Sequence, residues 1–251
     1  MSGHSKWSTI KHKKAAVDAK RGKIFSRLSK EITITAKAGG GDPEMNPLLR
    51  NAIIAAKNVN MPNDNIDRAI KKGTGELPGV TYEDILYEGY GPTGVGLIIE
   101  VLTDNRNRAA GEVRSTLDKR GGSLAGSGAV AWQFNKKGMI VVEKKAIDEE
   151  TLFLAVSEAG AEDMQITEEA YEITTPYDLF DAVKKALEEA EIETQSAELT
   201  MLPTSTVRIT EEKDAAALLR LLDALEELDD VKNVYANFDM DDELMEKVAN
   251  E

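Results

Sequence analysis

Cysteine is absent from this 251-residue chain. That excludes a disulfide framework, a thiolate nucleophile and thiolate metal ligands. Histidine is nearly absent. His4 and His12 both stand in the basic opening stretch, where a rigid active site is hard to build, so a histidine-based triad or metal cluster has no material elsewhere. Long apolar runs are missing too. The first of any strength, Val95 to Ile99 with a glycine inside, stops at Glu100, far short of a membrane span. No apolar signal-peptide core follows the basic N-terminus. A mitochondrial presequence would share that basic, serine-bearing start, but here it runs straight into well-patterned helices, so the sequence is read as cytoplasmic. Carboxylates are plentiful, yet no pair stands out for acid–base work. The glycine-rich "GYGPTGVG" precedes a strand, and "GGSLAGSG" lacks the Lys-Ser/Thr ending of a phosphate-binding loop; both read as turns and close backbone approaches. The expectation is a protein that is not an enzyme and uses no cofactor and no metal.

What the chain does have is charge, unevenly placed. Its net charge is -14, yet residues 1–75 hold 15 Lys and Arg against 6 Asp and Glu, a net of +9. Residues 76–251 hold 16 against 39, a net of -23. Such asymmetry points to a basic arm for a polyanion joined to an acidic body.

The hydrophobic pattern divides the chain similarly. From Lys20, Ile24, Phe25, Leu28, Ile32 and Ala36 recur at helical spacing, with Lys20, Lys23, Arg27, Lys30 and Lys37 on the other side and Ile34 fitting poorly among them. "GGGDP" ends this helix and offers Asp42 as a cap for the next, from Pro47 to about Val59. A third, "NIDRAIKKG", is capped by Asn63 or Asp64, favoured by Lys71 and Lys72 at its C-terminus and ended by Gly73. Beyond "GTGELPG" strands and helices alternate. "GLIIEVLTD", a helix and "GAVAWQF" read as βαβ, as do "STVRIT", a helix and "NVYANFD" near the C-terminus. Between them "GMIVVE" to "AELTML" reads as βαββαβ, the split-βαβ pattern. The prediction is an α+β protein of three domains: a basic helical domain over 1–77, a split ferredoxin-like α/β domain over 78–135 plus 204–251, and a second ferredoxin-like α/β domain inserted over 136–203.

Two stretches are candidate binding sites. In the basic opening, Lys6, Lys11, Lys13, Lys14, Lys20, Arg21, Lys23, Arg27 and Lys30 could neutralise phosphates, Trp7 could stack on a base or anchor onto the helical domain, and His12 could assist near pH 6. In "TDNRNR", Arg106 and Arg108 beside a helix N-terminus could hold a phosphate; the structural alternative has Asp104 or Asn105 capping the helix while the arginines pair with nearby acids, and this alternative is favoured. A hinge near "GTGELPG" would hold the acidic body away from a polyanion bound by the basic domain.

The motifs "GHSKWSTIKHKK", "KRGKIFSRLSKEI", "GGGDPEMNPLLR", "NMPNDNIDRAIKKGTGE", "YEGYGPTGV" and "TDNRNR" resemble those of the YebC/PmpR family, which includes the mitochondrial translational activator of cytochrome oxidase subunit one. The resemblance covers essentially the whole chain and is densest over residues 3–135. It implies a cytoplasmic bacterial protein of three domains without enzyme activity. It implies either a DNA-binding transcriptional regulator or a factor acting on ribosomal or messenger RNA, or on the ribosome, during translation. The acidic body could then meet the ribosome or basic proteins; no membrane is involved. Two positions depart from the family pattern: Leu48, where a basic residue is expected, and Thr93, where a glycine is expected.

Overall fold

The structure, a computed structural model, describes residues 19–79, 81–145, 147–167 and 170–249, with the backbone alone at residues 19–22, 242 and 249. The chain is of the mixed α+β class. It divides into two compact units, one running to Ala131 and resuming at Thr206, the other spanning Trp132–Ser205.

The first unit begins with three helices: α1 (Ala19–Gly39), α2 (Pro47–Asn58) and α3 (Asn63–Gly73). Their apolar stripes meet in one core that includes Leu28, Ile32 and Ala36 of α1, Leu49, Ala52 and Ala56 of α2, and Ile66 and Ala69 of α3. The cap of α2 differs from expectation. Asn46, not Asp42, accepts from the Leu49 N–H (3.1 Å), while its amide donates to the Thr35 and Gly40 carbonyls, so one buried side chain joins two helices. Asp42 instead accepts from the Glu44 N–H in the preceding turn. Helix α3 starts after Pro62 without a side-chain cap.

The same unit continues into a four-stranded antiparallel sheet of order β3-β1-β2-β9, made by β1 (Glu83–Tyr90), β2 (Gly96–Thr103), β3 (Ser123–Leu124) and β9 (Val231–Ala236). Helices α4 (Arg106–Lys119) and α7 (Glu212–Glu226) share a core with it: Val113 and Leu117, then Leu218, Leu222 and Leu225, meet Leu97, Ile99 and Val101.

Here the connectivity departs from the sequence reading. "STVRIT" does not join this sheet; its β8 (Val207–Ile209) pairs in parallel with β10 (Phe238–Met240). The vacant central position is filled by β1, which the sequence reading did not pick out. The reason is local. β1 and β2 are joined by one tight turn and pair over eight consecutive positions, from Glu83 opposite Thr103 to Tyr90 opposite Gly96, whereas β8 offers three residues. "GAVAWQF" does not form a strand of this sheet either; it is loop and a short 3-10 turn as far as Gln133, and only Phe134 opens the next strand. "NVYANFD" is two strands, parted at buried Asn237, whose Oδ1 accepts from the Gly96 N–H (2.6 Å). Helix α8 (Asp242–Ala249) follows, with Met245 fully buried in the same core.

The second unit runs β4 (Phe134–Glu143), α5 (Glu149–Glu158), β5 (Asp163–Ile166), β6 (Ala170–Pro176), α6 (Phe180–Glu189) and β7 (Ser196–Pro203). Its antiparallel sheet has the order β5-β6-β4-β7, the split βαββαβ layout. Leu152, Val156, Val183 and Leu187 of the helices close over Ile140, Val142 and Ile173.

Candidate nucleic-acid interface

The basic stretch is only partly within the described residues. Lys6, Trp7, Lys11, His12, Lys13 and Lys14 lie outside them. Lys20 and Arg21 belong to the first turn of α1, with their side chains outside the description. Lys23, Arg27 and Lys30 are fully described, and they are brought together at spacings of four and three on one side of α1.

That side does not look away from the acidic body. Lys23 Nζ donates to the Glu226 carbonyl at the end of α7 (2.9 Å), and Arg27 Nη1 donates to the Lys232 carbonyl in β9 (2.7 Å). Lys30 Nζ reaches the Asp229 carbonyl (3.1 Å) and pairs with Asp230 Oδ1 (2.7 Å). Beside them Glu31 accepts from Lys232 Nζ (3.0 Å). Lys232 stands at a β-bulge: Glu100 opposes Asn233 and Val101 opposes Val231, which leaves Lys232 unmatched and lets it turn towards α1. Burial opposes charge on Lys232, but Glu31, Glu100 and Asp84 more than offset it, and its pKa is raised. The expectation that the basic domain is held apart from the body is therefore corrected for these three cations. A count of charges could not foresee this, because most of their acceptors are neutral backbone carbonyls about 200 residues away.

Arg106 and Arg108 separate. Arg108 Nη2 is 2.7 Å from both Asp104 Oδ1 and Asp230 Oδ2, while Asn105 caps α4 by accepting from the Arg108 N–H (3.1 Å). This is the structural alternative for "TDNRNR", realised in both its parts. The Arg106 guanidinium is exposed and has no hydrogen bond or ion pair among the described residues.

The residue that organises this region, Asp230, was not among the candidates. In sequence it is half of a "DD" pair; in the fold Asp229 is exposed and Asp230 is buried. Its carboxylate accepts from Lys30, from Arg108 and from Thr103 Oγ1 (2.8 Å). Burial pushes its pKa up, but those three donors outweigh burial and the net shift is downward. Position alone, at the turn into β9, carried no signal for this role.

A second buried carboxylate holds the loop before β4. Glu88 of β1 accepts from the backbone N–H groups of Gly128 (2.6 Å), Val130 (2.6 Å) and Ala131 (2.8 Å). Burial again raises its pKa, the three N–H donors lower it, and the lowering prevails. Gly128, at φ +82, opens the loop so that these donors converge. Gly128, the last residue of "GGSLAGSG", thus forms an anion cradle with Val130 and Ala131, and the anion is the protein's own. No group of acids or histidines able to hold a metal ion, and no helix long and apolar enough to cross a membrane, is found among the described residues.

The exposed cations of the helical domain, Lys37, Arg50, Lys57, Arg68, Lys71 and Lys72, have no ion pair among the described residues, and Arg50 donates to the Pro43 and Glu44 carbonyls.

Comparison with known proteins agrees with this architecture. The family model for the TACO1/YebC N-terminal domain matches residues 5–76, and that for the TACO1/YebC second and third domains matches residues 82–238. A "probable transcriptional regulatory protein" of Persephonella marina is 58% identical over 252 residues, spanning 99% of this chain and 100% of its own. One from Geobacter sulfurreducens is 57% identical over 248 residues, with coverage of 99% and 100%. The crystal structure of a conserved hypothetical protein from Aquifex aeolicus superposes with a TM-score of 0.81 at 48% identity, covering 90% of this chain and 93% of that one. Matched from residue 5 to residue 238, the chain belongs to the TACO1/YebC family.

Proposed function

We propose that this protein is a non-enzymatic, cytoplasmic regulator of gene expression that binds nucleic acid, DNA in the first instance, through its basic N-terminal region. The observation that carries this reading is the charge split, +9 over residues 1–75 against -23 over the rest. The names of its relatives support a role in regulation. With Lys23, Arg27 and Lys30 engaged by the body, the contacts fall first to Lys6, Lys11, Lys13, Lys14, Lys20 and Arg21, with Trp7 stacking on a base and His12 assisting. Arg106 is a secondary phosphate contact.

The test is binding of the full chain to duplex DNA and to single-stranded RNA across a salt series. About five phosphate contacts give a log–log slope of about -4 to -5 on duplex DNA. Alanine at Lys11, Lys13, Lys14, Lys20 and Arg21 together should cut that slope to about -1 to -2, the share left to Lys6 and Arg106. A flat slope for the unaltered chain, or an unchanged one for the variant, would sink the reading. A preference for RNA, with comigration with ribosomes that survives DNase but not high salt, would move the target from transcription to translation.

A further inference from the structure

The acceptors that hold α1 have a common character. Glu226 is the last residue of α7, a helix with no basic residue in its own last turn. Its carbonyl lies in the last turn, at the negative end of the helix dipole, and Lys23 supplies from another element the cation that such ends favour. The Asp229 and Lys232 carbonyls and the Asp230 carboxylate complete a short group of oxygens that receives Lys23, Arg27 and Lys30. The three cations span about 10 Å of helix at 1.5 Å per residue. A group of oxygens over that span is what a run of phosphates would also present. A lysine donating to one is withdrawn from the other.

We propose that the turn from α7 into β9, residues 226–232, is an intramolecular lock: it occupies the basic stripe of α1, and nucleic acid gains Lys23, Arg27 and Lys30 only when α1 leaves the turn. The Glu31–Lys232 pair and the Asp230 cluster are its two fastenings. The lock rests on the nucleic-acid reading above, and adds to it that the acidic body competes with the ligand for the same cations.

The experiment uses the full chain with three substitution sets: Asp230→Asn, Lys232→Glu, and Glu31→Lys with Lys232→Glu together. For each, the salt dependence of binding to a short labelled DNA duplex is measured alongside amide hydrogen exchange in α1. Circular dichroism confirms folding, and Lys232→Glu serves if Asp230→Asn does not fold. Each single substitution should speed exchange in α1, tighten binding several-fold at low salt and steepen the log–log slope by about 2 to 3, the effect of three further phosphate contacts. The double substitution restores the pair with its charges exchanged and should return slope and exchange towards the unaltered chain. The sign is diagnostic. Lys232→Glu makes the body more negative by two charges, which by simple repulsion weakens binding; only release of the stripe makes it tighter. Faster exchange with an unchanged or shallower slope, while the unaltered chain still binds with a steep one, overturns the lock and leaves the nucleic-acid reading intact. Unchanged exchange in both single variants also overturns the lock. Absence of binding in every variant overturns both.

Discussion

Thr93 is where a single side chain disagrees with its backbone. It lies in the turn between β1 and β2 at φ 60°, ψ 12°, the left-handed region that a β-branched residue enters only under constraint. The position where the family resemblance leads one to expect glycine is thus one whose geometry asks for glycine. Thr93 is exposed, and its hydroxyl donates only to the neighbouring Pro92 carbonyl. Thr93→Gly should stabilise the fold by about 0.5–1 kcal/mol, the relief of left-handed strain less the added freedom of the unfolded chain. Urea denaturation measures this, and a loss of stability would show that the hydroxyl matters more than the strain. The other departure, Leu48, is an exposed side chain on the first turn of α2, where the structure shows no packing need for leucine.

Among the elements, the crossing of α1 and α3 is set by Gly73. A Cβ there would stand 2.4 Å from the Thr33 carbonyl oxygen and 2.7 Å from the Ala36 Cβ, and a carbonyl in mid-helix cannot step aside cheaply. Gly73→Ala should therefore cost about 1–3 kcal/mol and loosen the helical domain first. Thermal melting with amide exchange in α1 and α3 tests this; an unchanged midpoint would mean that the helices slide apart freely. The sequence reading took Gly73 only as a helix end. It placed α1, α2, α3 and the inserted βαββαβ unit well, because their apolar residues keep a single period long enough to read. It missed β1, whose "EDILYEGY" carries three acids and looks like a surface loop. Its inward residues Ile85 and Tyr87 become legible as a strand only once β2 pairs with them. It also put "STVRIT" in the wrong sheet, since nothing in three apolar-alternating residues names a partner 31 positions away.

For the molecule as a whole, the two buried carboxylates tie acid stability to interface integrity. Asp230 and Glu88 both have folded pKa values below their ordinary ones, so their contribution is fully present above about pH 4, the usual carboxylate value, and is lost as pH falls through the lowered folded values. The melting temperature should fall steeply below about pH 4, and Glu88→Gln, which replaces one acceptor oxygen with an amide that faces one or two of the three N–H groups as a donor, should lower stability by about 2–4 kcal/mol at neutral pH while making the acid limb shallower. Melts from pH 3 to 7 decide; an acid limb equally steep in the variant would remove Glu88 from the account. Lys232 has the opposite sign: its raised pKa gives stability that is lost only as pH climbs past its folded value.

The ends of the inserted unit have a consequence for how the outer unit closes. Phe134, at the start of β4, is paired with Pro203, at the end of β7. Once that unit has folded, the chain departs within one strand spacing, about 5 Å, of where it arrived. To the outer unit, the span from Trp132 to Ser205 then acts as a tether of a few residues rather than a long flexible loop. The entropy of closing β9 onto β2 is correspondingly reduced. The insertion is therefore a folding aid whose benefit depends on order: it shortens the outer unit's longest loop only if it forms first.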